Sequence, residues 1–247
     1  MRRFFTAALA ALLLAQLTAC GGSPEPEEPV ALPEPSAVET APPAPPEPTE
    51  EELAAERVES LLSSMTLEEK AGQLFFVRCP ETGALEDVTA FHLGGYLLFG
   101  RDFQDGAGNW LTAEQFAGKL QAYQSAARVP LLIGVDEEGG TVVRASRNPN
   151  LFPGGKYRSP QWLLRHQGGE GDVFAEDARE KNTALLGYGV NVNLAPVCDV
   201  STDSASFIYD RTLGLDAAAT ADYVERVTAA MRDCGIGSVL KHFPGYG

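Results

Sequence analysis

Basic residues are scarce in this chain of 247: 19 Lys and Arg stand against 34 Asp and Glu, for a formal net charge of −15. That sign argues against nucleic acid as a partner. Histidine is scarcer still, with only His92, His166 and His242, and no HxxxH spacing that could seat zinc on one helix face. The four cysteines, Cys20, Cys79, Cys198 and Cys234, are widely spaced with no CxxC, so neither a disulfide framework nor a metal clip is expected. Cys198, inside an apolar run, reads as a small buried hydrophobe. Neither GxGxxG after a strand nor GxxxxGK[ST] occurs, which leaves nucleotide binding without support. No cofactor and no metal is expected. The apolar run from Phe4 to Leu17, broken only by Thr6 and Gln16, falls short of the roughly 20 residues a spanning helix needs.

What is present divides the chain by composition. Arg2 and Arg3 precede the apolar run, and Leu17-Thr18-Ala19-Cys20 follows it. This order reads as a signal peptide over 1–20. A Cys at the cut resembles the lipobox of bacterial lipoproteins, which implies lipidation of Cys20. Residues 21–52 hold ten of the 17 prolines and nine Glu, with no Lys or Arg. Such a segment cannot bury enough apolar surface to offset its ordering entropy, so it is expected to be a disordered tether. The chain is therefore expected to be exported and lipid-anchored at a bacterial cell envelope, with the membrane reached through its N-terminal lipid.

Residues 53–247 alternate between two periodicities. Leu53–Ser63 is apolar at helical spacing, and Thr66-Leu67-Glu68-Glu69 is a capping box opening a short helix. Strands are expected at Gln73–Val77, Gly95–Phe99, Pro130–Val135, Val190–Val197 and Gly237–His242. Between them, Thr112 with Gln115 caps a helix to about Ala127, Ser159-Pro160 opens a short one, Asp172 caps one ending near Gly187, and Asp216 caps one ending at Gly235. Strands apolar throughout and separated by helices indicate a parallel sheet covered by helices. Polar residues recur where these strands end: Arg78, Arg101-Asp102, Asp136-Glu137-Glu138, Asp199 and Lys241-His242. Delivery of polar groups to one rim by successive strands is how a βα barrel builds its site, whereas an open sheet concentrates them at a switch point. The expected fold class is α/β, of the (β/α)8 TIM-barrel type, incomplete, with about five βα units.

Three segments can carry chemistry. Along an extended chain Asp136 and Glu138 point to one side and Glu137 to the other. Gly139-Gly140 permits close backbone approach, and Arg144 follows within reach of a carboxylate. In Tyr209-Asp210-Arg211-Thr212-Leu213-Gly214 the Asp-Arg pair, taken alone, reads as a surface ion pair of little worth. Lys241 and His242, adjacent on a strand, face opposite ways unless the strand end is bent or bulged. Core packing and chemistry are equally open for them at this point.

In order, these segments resemble the N-terminal barrel domain of glycoside hydrolase family 3. The resemblance runs from Met65-Thr66-Leu67-Glu68-Glu69-Lys70 through Gly94–Phe99, Leu132–Gly140, Asn193–Val200 and Arg211-Thr212-Leu213-Gly214 to Lys241-His242-Phe243-Pro244-Gly245. The Pro-Gly after Lys-His is similar to the β-N-acetylhexosaminidase branch. The resemblance implies that Asp136 accepts hydrogen bonds from sugar hydroxyls and that Arg144, Arg211, Lys241 and His242 line the same sugar pocket. It implies a retaining mechanism with an Asp nucleophile and a His-Asp acid/base. Both catalytic groups are expected beyond Gly247, so no catalytic residue is assigned here and the chain by itself is expected to be inactive. Thr141, Thr212-Leu213 and Tyr246 depart from the family, which often has Arg, Ser-Phe and His there. The implied function is hydrolysis of terminal β-linked N-acetylhexosamine (GlcNAc) from glycans or peptidoglycan fragments. The alternatives are another family 3 glycosidase, such as a β-glucosidase or β-xylosidase, and a non-catalytic sugar-binding lipoprotein.

Overall fold

The computed structural model describes residues 47–166 and 171–246. The expected signal peptide, Cys20 and most of the Pro/Glu-rich segment lie outside the described residues. Helix α1, Glu50–Ser64, begins inside the stretch expected to be tether. The cause is local: the Thr49 side chain accepts from the Glu52 amide while the Glu52 carboxylate accepts from the Thr49 amide. That capping box, just before the apolar-periodic residues, nucleates the helix ahead of the expected boundary. A second box, Thr66 with Glu69, opens α2, Leu67–Gln73. Arg128 fastens the junction, donating to Glu69 at 2.6 Å and to the Ser64 carbonyl at 3.2 Å.

Five short strands follow: β1 Phe76–Arg78, β2 Gly95–Leu98, β3 Leu132–Val135, β4 Val192–Asn193 and β5 Gly237–Ser238. All neighbouring pairs are parallel and the order in the sheet is β1-β2-β3-β4-β5. A doubly wound sheet reverses strand order at a switch point, whereas this sheet advances by one strand at every crossover, as the wall of a βα barrel does. The crossovers carry α3 Ala84–Phe91, α4 Ala113–Ala126, α5 Pro160–Arg165 with α6 Val173–Gly187, and α7 Ala217–Cys234. Helices α4 to α7 start at the expected caps: Thr112, Ser159, Asp172 and Asp216. Helix α3 starts from Gly83 with no side-chain cap, and nothing in the sequence announces it.

The pleat divides each strand between two environments. Tyr96, Leu98, Ile133 and Val135 point out of the sheet and are fully buried in a core shared with Phe116, Leu120, Leu185 and Met231. On the other face two glycines of neighbouring strands lie under one large ring. A Cβ on Gly95 would lie 2.8 Å from the Phe76 ring, and one on Gly134 2.4 Å from it. The two glycines make the room that the Phe76 ring occupies, the large-against-small fit by which side chains fill a barrel interior.

All five strands are shorter than the sequence pattern suggests, β4 and β5 by the most. Ladder pairing of β4 stops at Asn193, and a cis Ala195-Pro196 bond follows. Pairing of β5 stops at Ser238 and resumes only as an isolated bridge between Val197 and Lys241. The chain therefore bends at the strand ends, where the polar residues lie.

Candidate functional site

The rim formed by the strand ends is built around Glu138. Its carboxylate accepts two hydrogen bonds from Arg211, Nε to Oε2 and Nη2 to Oε1, both at 2.9 Å. The Lys241 ammonium sits 2.5 Å from Glu138 Oε1 and 2.7 Å from Asp136 Oδ1, bridging the two carboxylates. Asp136 and Glu138 therefore share a face, as strand alternation requires. Arg144 comes to the same group more loosely, with Nη2 3.9 Å from Asp136 Oδ2. His242 completes the cluster: its Nδ1 lies 2.5 Å from Asp199 Oδ2 and its Nε2 3.1 Å from Arg211 Nη2. A guanidinium can only donate, so Nε2 is the acceptor of this contact while Nδ1 faces Asp199.

All five expected binding residues, Asp136, Arg144, Arg211, Lys241 and His242, thus meet in one cluster. Arg211 does not pair with its neighbour Asp210; the 3-10 turn Tyr209–Arg211 turns the guanidinium inward to Glu138. The bend at the end of β5 carries both Lys241 and His242 into the cluster. Neither side chain is packed into the apolar core; both join the charge network, Lys241 on Asp136 and Glu138 and His242 on Asp199. Arg101 and Asp102 lie elsewhere. Arg101 donates to the Cys79 carbonyl at 2.6 Å and pairs with Glu81, while Asp102 accepts from the Phe99 amide at 2.7 Å. Burial pushes the Asp102 carboxyl up from the usual carboxylate range.

Glu138 and Asp199 are central to the network yet were not among the expected binding residues. Glu138 was detectable, because the alternation that selects Asp136 selects it equally. Its burial, with a side chain only 3% exposed, follows from Arg211, a partner 73 residues away that local pattern cannot reveal. Asp199 is a further case: its Oδ1 also accepts from the Tyr246 amide at 2.8 Å, so it orients both the His242 ring and the segment after it.

Glu137 faces the other way and does a different job. Fully buried, its Oε2 accepts from the amides of Arg144 at 2.9 Å, Ala145 at 2.8 Å and Ser146 at 3.3 Å, and the Ser146 hydroxyl donates to Oε1. Burial raises this carboxyl above the usual carboxylate range, with the donors opposing the shift. The Glu137 main chain is gripped in turn by Asn193, whose Oδ1 accepts from the Glu137 amide at 3.1 Å and whose Nδ2 donates to its carbonyl at 3.2 Å. The end of β3, the end of β4 and the 3-10 turn Ala145–Arg147 are thereby tied together, with Arg144 at the edge of the tie. Among the described residues no group of three or more His, Cys, Asp or Glu is arranged to hold a metal ion.

Residues 66–247 match the family described as Glycosyl hydrolase family 3 N terminal domain. The chain belongs to glycosyl hydrolase family 3. Within it, the chain is similar to the beta-hexosaminidase of Thiobacillus denitrificans, 31% identical over 155 residues, covering 63% of this chain and 41% of that protein. It is also similar to the beta-hexosaminidase LpqI of Mycobacterium tuberculosis, 35% identical over 162 residues, covering 65% of this chain and 38% of that protein. The solved structure of M. tuberculosis LpqI superposes with a TM-score of 0.62 at 30% identity, over 76% of this chain and 51% of that one. A beta-N-acetylhexosaminidase from Beutenbergia cavernae gives 0.60 at 26% identity, over 74% and 55%. The chain spans about two fifths of the length of the curated relatives it matches. The family 3 fold confirms the expected barrel-type α/β architecture.

Proposed function

We propose that the protein hydrolyses terminal β-linked N-acetylhexosamine, GlcNAc above all, from glycans or peptidoglycan fragments, and that residues 66–246 supply the part of its site that holds the sugar. The observation that carries this reading is the bridge from Lys241 to Asp136 and Glu138, locked by the Arg211 fork. It sets carboxylate acceptors beside ammonium and guanidinium donors at fixed spacing, and such a set can hydrogen-bond several hydroxyls of one ring. Membership of family 3 and likeness to proteins named beta-hexosaminidase support the substrate class.

The reaction we propose is retaining. A carboxylate attacks the anomeric carbon as the glycosidic C–O bond breaks, and an acid protonates the departing oxygen. Water then displaces the carboxylate, losing its proton to the group that acted as acid in the first step. Asp136 and Glu138 each already hold a cation, Asp199 is occupied by His242 and the Tyr246 amide, and His242 is engaged through both ring nitrogens. These groups are therefore assigned to binding rather than to attack or proton transfer. Export and lipidation at Cys20 are proposed with this activity, from the order of the N-terminal residues. Incorporation of labelled fatty acid by the wild type and its loss in Cys20→Ser is the expected result.

The test of the activity compares nitrophenyl GlcNAc with nitrophenyl glucoside on the full-length protein. Faster turnover of the GlcNAc substrate is expected, with Lys241→Met lowering kcat/KM by about 100-fold or more, the scale of removing a buried charge-assisted contact. Faster glucoside turnover would overturn the substrate assignment. Binding without turnover of either would leave a sugar-binding protein.

A further inference from the structure

Two arginines of the site are not accounted for by this network. Arg78 ends β1 with its guanidinium 4.7 Å from the centroid of the Phe99 ring, and Arg144 reaches the same ring at 5.5 Å. Among the described residues Arg211, Lys241 and His242 each have a carboxylate or acceptor within hydrogen-bond distance. Arg144 has only the 3.9 Å approach to Asp136, and its Nε is buried without a hydrogen-bond partner. Arg78 is exposed and forms no ion pair with the described residues, in contrast to the other pocket cations. Two guanidinium groups held against one aromatic ring repel each other. The ring attracts each of them only weakly.

The charge balance points the same way. Arg78, Arg144, Arg211 and Lys241 face this region against the carboxylates Asp136, Glu138 and Asp199, while Glu137 is turned away into its clasp of amides. A local excess of positive charge in a chain of net charge −15 selects for an anion.

We propose that Arg78, Phe99 and Arg144 form an anion subsite at the edge of the sugar pocket, which takes a carboxylate or phosphate substituent carried by the sugar. The planar forks match either oxyanion in a bidentate manner, and Phe99 offers a flat apolar face to the carbon skeleton beside it. This inference rests on the reading of the cluster as a sugar site and adds to it a preference for sugars that carry an acidic substituent.

Titration calorimetry on the full chain with three probes tests it: neutral GlcNAc, N-acetylmuramic acid and N-acetylglucosamine 6-phosphate. One of the two anionic sugars is expected to bind about tenfold more tightly than GlcNAc, the scale of a charge-assisted hydrogen bond. The advantage should shrink as salt rises, fall toward unity in Arg78→Gln and persist in part in Arg78→Lys. Because Arg78 is exposed, the melting temperatures of both variants report whether folding is intact. Equal binding of all three probes, or an advantage that survives Arg78→Gln, would overturn the subsite and leave the sugar pocket standing. Failure of every probe to bind would overturn the pocket and the subsite with it.

Discussion

Glu137 and Glu138 are adjacent in sequence and have opposite fates. The pleat sends Glu138 to two cations and Glu137 to a nest of amides. Glu137→Ala removes the acceptor of three backbone donors and a hydroxyl, and an unmade buried bond costs about 1–3 kcal/mol. A loss of roughly 3 kcal/mol or more is expected in denaturant unfolding. The same residue gives a pH signature. Its carboxyl is raised in the folded state by burial, so the folded chain holds that proton more tightly than the unfolded chain. Its contribution to stability is therefore greatest below the ordinary carboxylate range, about pH 4. The contribution declines as pH rises through that range to the raised value, and is flat beyond. The difference in melting temperature between wild type and Glu137→Gln should follow that course; a difference independent of pH would contradict it. Glu138→Gln keeps the shape but weakens both charge-assisted contacts. A drop in GlcNAc affinity on the order of tenfold is expected by calorimetry.

At the scale of elements, legibility in the sequence tracks how local the determining interaction is. Helices α4 to α7 are announced by side chains that cap them within three residues, and the structure places them there. Helix α3 has no such signal. It enters at Gly83 with φ 78° and leaves at His92 with φ 52°, so its ends are set by backbone turns rather than by a cap. Strands β4 and β5 were expected to be longer because their apolar runs continue. The runs continue into bent segments whose amides bond across to the next segment, as Cys198 does to the Lys241 carbonyl at 2.7 Å, instead of in a regular ladder. For the candidate site, local pattern left the strand-end residues open; the resemblance to family 3 named five of them, Arg211 included, whereas the pairing of Glu138 with Arg211, 73 residues away, has no local signal. Two substitutions test the elements. Thr112→Ala removes half of the box at α4 and should cost about 1 kcal/mol. Gly72→Ala places a Cβ 2.1 Å from the Phe91 carbonyl oxygen and 2.5 Å from that of His92. Both are backbone atoms with no easy retreat, so a loss of roughly 2 kcal/mol or more is expected from overpacking. Thermal unfolding measures both.

For the molecule as a whole, the sheet presents one covered face and one open face. Among the described residues Phe76, Leu132 and Leu240 stay exposed, and β1 and β5 each pair on one side only. Thiol chemistry separates the interior from the surface. Burial pushes the Cys79 thiol up, and the residue is 1% exposed. Cys79 is expected to resist alkylation until the chain unfolds, as mass spectrometry of the native and denatured protein would report.

The cross-linked ion network also has a thermal consequence. Arg211, Lys241 and His242 are already pinned by partners before any ligand arrives. Long side chains of this kind lose about 0.5–1.5 kcal/mol each when immobilised on binding, and here that loss has been incurred during folding. Arrival of a ligand at these groups should therefore be accompanied by heat release with little opposing conformational entropy, whereas a site assembled from loose side chains would show the two nearly cancelling.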